Sequence, residues 1–162
     1  MNARHTLPLR GKFFVEHRNK DGKLIGLYRI PNGIVDEGME KILDDMFNSG
    51  AQSATWYIGL IDNASYTGVA DADTLAAHAT WLEFTDYTGT RKAWTSGAAS
   101  ARSVTNAATV DFTMTGGGAV RGIFTCDVTT GTAGTLWATA LFSSSITVAT
   151  SDVLKITYTV SG

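Results

Sequence analysis

The stretch TWYIGLID, residues 55–62, most constrains what this chain can fold into. Alternate side chains of a β-strand point to opposite faces. Neither face of this stretch is polar; Trp56, Ile58 and Leu60 form the first face, and Tyr57, Gly59 and Ile61 form the second. A strand that is apolar on both sides is typical of a position covered by two layers. The stretch therefore predicts a central strand, with Trp56 packed in the core.

The second half of the chain consists of short alternating segments separated by spacers rich in Thr, Gly and Ser. Apolar residues recur at every second position, at Val110, Phe112 and Met114, at Val120, Phe124, Cys126 and Val128, and at Leu154, Ile156, Tyr158 and Val160. Short strands at this spacing indicate a mainly β fold, and we expect an antiparallel β-sandwich of the jelly-roll-like kind.

A β-hairpin is predicted around Asp21-Gly22, because this dipeptide between β-rich segments is a strong turn signal. With a two-residue loop, Val15 lies opposite Tyr28 and Phe13 lies opposite Ile30. Glu16 and Arg18 then point away from that apolar face.

The segment DEGMEKILDDMFNSG, residues 36–50, predicts one amphipathic α-helix near residues 36–48. Asp36 is expected to cap its start, and residues 48–50 to end it. Its apolar stripe consists of Met39, Ile42, Leu43, Met46 and Phe47. We expect this stripe to be a core face that covers one side of residues 55–62; a groove for a partner is the alternative.

The rest of the chain predicts an irregular N-terminal arm at residues 1–10 and a single β-sandwich domain at residues 11–162. Residues 62–96 form a long connection, in which residues 71–79 predict a short helix begun by Asp71 or Asp73. Long loops that carry aromatic residues are frequent interaction surfaces. The candidate loop interaction surface consists of Trp81, Tyr87, Arg91 and Trp94.

Charge and composition narrow the function classes. A net charge of −2 supplies no field that would gather nucleic acid, so no nucleic-acid partner is expected. No stretch approaches the roughly 18 apolar residues of a membrane helix, and the first residues lack the apolar core of a secretory signal. We therefore expect no membrane partner. The single cysteine, Cys126, is expected to be a small buried hydrophobe.

No residue pattern for catalysis, for a cofactor or for a metal is predicted. His5, His17 and His78 are scattered, and the glycines at 116–118 do not fit a dinucleotide-binding motif. Two alternatives stay open. Trp81, Tyr87 and Trp94 could stack on sugar rings in a carbohydrate-binding module. Glu83 or Asp86 could serve a glycoside hydrolase, which ranks last.

Four segments resemble small structural proteins of tailed-bacteriophage and prophage virions, most of all capsid decoration (cement or minor capsid) proteins. In order, they are GIVDEGMEKILDDMF, TWYIGLID, DTLAAHATWLEFTDYTGTRKAW and GTLWATALF, and they span roughly residues 30–142. The resemblance implies a non-enzymatic, jelly-roll-like protein without a cofactor that decorates and stabilises the capsid shell.

The same resemblance implies the partners and the location. The expected partners are the major capsid protein and further copies of the chain, with a trimer favoured. The protein is expected on the capsid exterior, after synthesis in the host bacterial cytoplasm. The arm would contact the shell through Arg4, Pro8 and Arg10, although a free terminus is the alternative. A tail or tail-fibre component is the alternative to a head protein.

Overall fold

The computed structural model describes residues 9–162 of the chain. Its strands are β1 (Arg10–Arg18), β2 (Leu24–Ile34), β3 (Trp56–Asp62), β4 (Glu83–Phe84), β5 (Lys92–Trp94), β6 (Ser103–Thr105), β7 (Val110–Thr113), β8 (Gly118–Cys126), β9 (Leu136–Val148) and β10 (Val153–Ser161). The helix α1 (Asp36–Phe47) lies between β2 and β3. The predicted mainly β fold with a helix near residues 36–48 is therefore confirmed.

The strands form one curled antiparallel sheet, a half-barrel. Its order is β4-β3-β8-β9-β2-β1-β10-β6, with β5 paired to β3 and β7 paired to β10. The strand β2 belongs to both halves of the sheet, because it pairs with β1 along its length and with β9 at Gly33 and Ile34. The two separate sheets of a jelly-roll-like sandwich are not confirmed.

The two ends of the curled sheet meet through a few backbone contacts. Tyr87 forms an isolated bridge with Met114, and Ser96 forms another with Asn106. The Thr88 amide also donates a hydrogen bond of 2.9 Å to the Thr113 carbonyl. These contacts bring the connections beside β5 against the strands that flank β10.

The β1–β2 hairpin has the predicted register, with Phe13 opposite Ile30 and Val15 opposite Tyr28. Its turn differs from the predicted two-residue loop. The Gly22 amide donates to the Asn19 carbonyl, Gly22 alone in the turn takes a positive φ of 77°, and the register shifts beside Arg18. This is a three-residue loop with a glycine bulge.

The predicted arm, residues 1–10, is described only in part. Arg4 and Pro8 lie outside the described residues. Arg10 is the first residue of β1, where it is exposed and pairs with Ser161 of β10.

The strand β3 is covered on both sides, as its apolar pattern predicts. Ile58 and Leu60 belong to the core inside the half-barrel, and Ile61 belongs to a second cluster on the outer face of the sheet. Trp56 is an exception to the prediction, because it is only half-buried at the start of the strand.

The outer face of β3 and β8 is covered by the connection at residues 63–82. Leu75 and Trp81 are buried there against Ile61 and Phe124. The ring centroids of Trp81 and Phe124 are 5.2 Å apart. Residues 63–82, the first part of the predicted interaction loop, therefore contribute a layer of the core.

The short helix predicted at residues 71–79 is wrong, because this segment forms turns. Asp73 Oδ2 accepts hydrogen bonds of 3.0 Å from the Ala70 amide and from the Trp81 indole. Since the Asp73 side chain bonds both a preceding amide and a distant indole, it fixes a compact loop instead of capping a helix.

The apolar stripe of α1 is not the core face that we expected. Met39, Leu43, Met46 and Phe47 are exposed by 41–78%. The helix instead packs through Gly38 and through the partly buried Ile42. Gly38 lies so close to the Trp137 carbonyl that a Cβ atom at this position would overlap the oxygen.

The N-terminal turn of α1 explains this orientation. Glu37 Oε2 accepts hydrogen bonds from the Leu75 amide at 3.1 Å and from the Leu136 amide at 2.6 Å. Asp36 is the first helical residue and not the cap: Val35 holds that position, with no side-chain cap bond. The backbone amide of Asp36 donates to the Asp71 carbonyl at 2.8 Å. These bonds fix the helix to the loop and to β9, with the stripe turned outward.

The strand β8 departs from the predicted single face. Val120 lies in the inner core, whereas Phe124 and Cys126 lie in the outer cluster. The register against β9 shifts between Val120 and Gly122. A bulge at this point moves the following side chains to the opposite face.

Paired substitutions can test that the loop at residues 63–82 packs in the core and that the apolar stripe of α1 does not. Trp81→Ala should lower the free energy of unfolding by about 3–5 kcal/mol, because it leaves a large cavity in the outer cluster. Phe47→Ser should change it by less than about 0.5 kcal/mol, because the ring is 78% exposed. Urea denaturation of both variants measures the difference. A larger loss from Phe47→Ser than from Trp81→Ala would contradict this structure.

Candidate functional site

A cavity of about 350 Å³ opens at one end of the half-barrel. Its walls come from α1, from residues 52–56, and from the facing ends of β5 and β6, and its floor comes from β8, β9 and β10. This volume lies within the range of about 300–1,000 Å³ that is usual for small-molecule sites.

Aromatic rings line the cavity. Trp56 and Trp94 are cross-strand neighbours on β3 and β5, and both are half-buried. Trp137 and Tyr158 lie deeper, exposed by only 8% and 1%. The Trp137 indole donates a hydrogen bond of 2.7 Å to the Tyr158 hydroxyl. Three of the four tryptophans of the chain therefore meet at this one site.

The aromatic rings of the floor are held rigidly. Tyr158 stacks on Phe13 with ring centroids 4.2 Å apart, and its hydroxyl accepts a second hydrogen bond of 2.9 Å from the Asn32 amide. The Trp94 indole donates at 3.3 Å to the Tyr158 carbonyl and to Asn106 Oδ1. These contacts fix the ring planes before any ligand arrives, which lowers the entropic cost of binding.

The rim of the cavity is polar but carries no net charge. Lys41 forms an ion pair with Asp45 one turn further along α1, and Lys41 also donates to the Ala51 carbonyl at 2.6 Å. Gln52 and Ser96 line the same rim, and both are exposed.

The four residues of the predicted loop interaction surface do not form one exposed surface. Trp81, Tyr87 and Arg91 are buried, with exposed fractions of 1%, 5% and 7%. Only Trp94 reaches the cavity. An irregular sequence pattern does not show whether the side chains of a loop are exposed to solvent or buried against the sheet. Here three of the four side chains are buried.

The sequence did not identify Trp56, Trp137 and Tyr158 as residues of a site. Their positions in apolar strand patterns indicate core packing, which describes Trp137 and Tyr158 correctly. The cavity arises because strands distant in the chain converge at one end of the sheet. Trp56 offered the one local signal, since the polar residues Gln52, Ser53 and Thr55 precede it at the start of its strand.

Arg91 is the centre of a buried polar network. Its guanidinium contacts Glu83 Oε2 at 2.9 Å and lies 5.1 Å from the centre of the Phe124 ring. It also donates to the Cys126 thiol at 3.5 Å, and the Tyr87 hydroxyl donates to Glu83 Oε1 at 3.1 Å. Burial disfavours the Arg91 charge, but the bonds to Glu83 hold its pKa above the usual value.

The same network sets the ionisation of two further groups. Burial raises the pKa of the Cys126 thiol, and the Arg91 charge opposes this only in part. Burial, with the Glu83 carboxylate beside it, raises the pKa of Tyr87 above its usual value of 10.0. Cys126 is thus kept as a neutral, buried thiol, as the sequence predicts, and Glu83 serves to hold Arg91 and Tyr87.

Metal and membrane motifs can be assessed only for the described part of the chain. Within residues 9–162, no three His, Cys, Asp or Glu side chains are grouped so that they could hold a metal ion. The helix of this region is too short and too polar to cross a membrane.

Two apolar surfaces are exposed outside the cavity. The first, here called the helix stripe, consists of Met39, Leu43, Met46 and Phe47 of α1. The second consists of Leu24, Ile25 and Leu27 of β2, exposed by 40–53%. Exposed groups of large apolar side chains are typical of protein–protein contacts.

The Glu83–Arg91 pair gives a first test of this region. Glu83→Gln should lower the free energy of unfolding by about 2–3 kcal/mol, because it leaves a buried guanidinium without a charged partner. The matched control is Glu16→Gln, whose Arg18 partner is about one-third exposed; it should cost less than about 1 kcal/mol. Chemical denaturation compares the two variants, and equal losses would contradict the burial of Arg91.

Alkaline pH gives a second test. Burial raises the pKa of Tyr87 and of Tyr158 above 10.0, so the folded state holds these protons more tightly than the unfolded chain. The contribution of these two groups to the free energy of unfolding should therefore be constant below about pH 10 and should decrease as the pH rises above it. In Tyr87→Phe this decline should be shallower by about 1.4 kcal/mol per pH unit. Denaturation curves measured across this pH range check it; equal slopes would refute it.

Comparison with protein-family models finds none that matches this chain, and comparison with curated proteins finds no similar sequence.

Proposed function

We propose that this protein is a non-enzymatic structural component of a tailed-phage virion that decorates the capsid shell through protein–protein contacts. The observation that carries the proposal is the helix stripe. Its residues recur at positions i, i+4, i+7 and i+8 of α1, so they share one face of the helix, and each is more than two-fifths exposed. Residues 9–162 of a single chain leave this apolar face without cover.

The charge beside the helix stripe defines its partner. Asp36, Glu40 and Asp44 are exposed on α1, while Lys41 is already paired with Asp45. A complementary surface therefore offers an apolar groove with basic residues at its rim. Two copies of α1 would place like charges together, so we assign the stripe to the major capsid protein and not to self-association.

Self-association is assigned to β2. Its pairing with β9 involves only Gly33 and Ile34, so the preceding residues have an edge without a strand partner in the described chain. Leu24, Ile25 and Leu27 are exposed beside that edge. Open edges with apolar side chains favour pairing with another chain. In this proposal the favoured trimer forms here, and the half-barrel is a variant of the jelly-roll-like scaffold.

Such a protein stabilises the shell by mass action, because it binds the assembled lattice and not the dispersed subunits. The proposal keeps the virion exterior as the location and keeps Arg4, Pro8 and Arg10 as further shell contacts. The exposed position of Arg10 at the start of β1 is compatible with that role.

The proposal is tested by cosedimentation with capsid shells that lack this protein. The wild type should bind, and the double variant Leu43→Ser/Phe47→Ser should lose at least tenfold in affinity while its circular dichroism is unchanged. Leu82→Ser is the matched control, because Leu82 is 55% exposed outside α1, and it should bind like the wild type.

Three results would contradict the proposal. The first is that the wild type does not bind to shells, and the second is that the double variant binds as tightly as the wild type. The third is that antibodies against the protein label the tail of the virion instead of the head in electron micrographs. The last result would favour the tail component. Native mass spectrometry checks self-association, for which a monomer would refute the β2 assignment.

A further inference from the structure

We propose that the cavity at the open end of the half-barrel is a binding site for a neutral saccharide. The proposal rests on the shape and the lining of the cavity, and it is independent of the role of the helix stripe.

The aromatic side chains of the cavity indicate that the ligand has an apolar, flat face. Trp56 and Trp94 are half-buried, so each presents part of an indole ring to the cavity. Trp137 packs beside Trp56, with ring centroids 5.8 Å apart and the planes inclined by 54°. Fixed indole faces of this kind suit the C–H face of a pyranose ring, which is apolar and flat.

The polar rim of the cavity indicates that the ligand also carries groups that form hydrogen bonds. Gln52 and Ser96 stand at the mouth, and in the described chain neither side chain makes a hydrogen bond. The Trp56 indole N–H likewise has no acceptor among residues 9–162. Free amide, hydroxyl and indole groups around an apolar floor match the several hydroxyl groups of a sugar.

The charge balance excludes the other ligand classes. An anion would need a free cation, but Lys41 is bound by Asp45 and by the Ala51 carbonyl. A quaternary ammonium ion would favour an aromatic cage with a free carboxylate, and the Asp45 carboxylate is occupied by Lys41.

The depth of the cavity limits the size of the ligand. Tyr158 and the buried Thr125 close its floor. A volume of about 350 Å³ accommodates one or two sugar units and not a long chain running through the fold. The site would therefore recognise a terminal sugar that enters from the mouth.

The test is a titration of the full chain with glucose, galactose, N-acetylglucosamine, maltose, cellobiose and lactose, followed by tryptophan fluorescence and isothermal calorimetry. At least one sugar should bind saturably in the millimolar range or below. Trp94→Ala should weaken that sugar at least tenfold, and Gln52→Ala several-fold, since these residues supply the stacking face and a free amide.

Two further variants keep the result interpretable. Val104→Trp places a large ring in the mouth from the β6 side and should abolish binding, although it removes no polar group. The control is Leu82→Ser, an exposed position that does not line the cavity and should leave affinity unchanged. Circular dichroism confirms that each variant is folded.

The proposal is overturned if no sugar of the panel binds saturably, or if Trp94→Ala, Gln52→Ala and Val104→Trp all bind like the wild type. It is also overturned if choline binds in the same titration and the sugars do not, because the site would then be a cation cage. Capsid binding plays no part in these measurements, so their failure leaves the proposed virion role to be judged by its own test.

Discussion

The packing of Trp81 on the outer face of the sheet is the interaction on which the rest of the structure depends. The strand β3 is apolar on both sides, so the half-barrel cannot leave its outer face in water. The Trp81 ring covers that face beside Phe124, and its N–H group is bound by the Asp73 carboxylate. Because the loop covers this face of β3, α1 does not pack against it, and the apolar stripe of α1 faces solvent.

Local features of the fold could be predicted from the sequence because they depend on neighbours in the chain. The register of β1 and β2 follows from one turn, and the helical pattern of residues 36–48 fixes where α1 lies in the chain. Periodicity also identified β3 as a strand with two covered faces. Each of these conclusions needed only the side-chain period and the turn chemistry.

Features that depend on distant contacts could not be predicted. Amphipathicity shows that α1 has an apolar side, but it does not show what meets that side; Glu37, bound to amides of the loop and of β9, decides the orientation. The bulge that separates Val120 from Phe124 leaves no trace in the alternating pattern. The cavity is formed by strand ends far apart in the sequence, and Trp94 was found only because it was grouped with three residues that proved to be buried.

The two proposed sites lie on different sides of one helix. Lys41, Ile42 and Asp45 of α1 face the cavity, while Leu43 and Phe47 face solvent. A capsid partner and a sugar would thus contact the same short element, whose first turn is fixed by Glu37. By thermodynamic linkage, if binding of one partner changed the affinity for the other by some factor, binding of the other would change the first affinity by the same factor.

The pairing of β1 with β10 has a consequence for how the chain is made. All nine residues of β1 are in register with β10, and the buried His17 contacts Asp152 across 135 positions of sequence. During synthesis the β1–β2 hairpin therefore emerges long before the strand that covers its free edge. Such long-range pairing slows folding and leaves the nascent chain open to aggregation. The edge of β1 that pairs with β10 therefore stays without its partner strand until translation has passed residue 161.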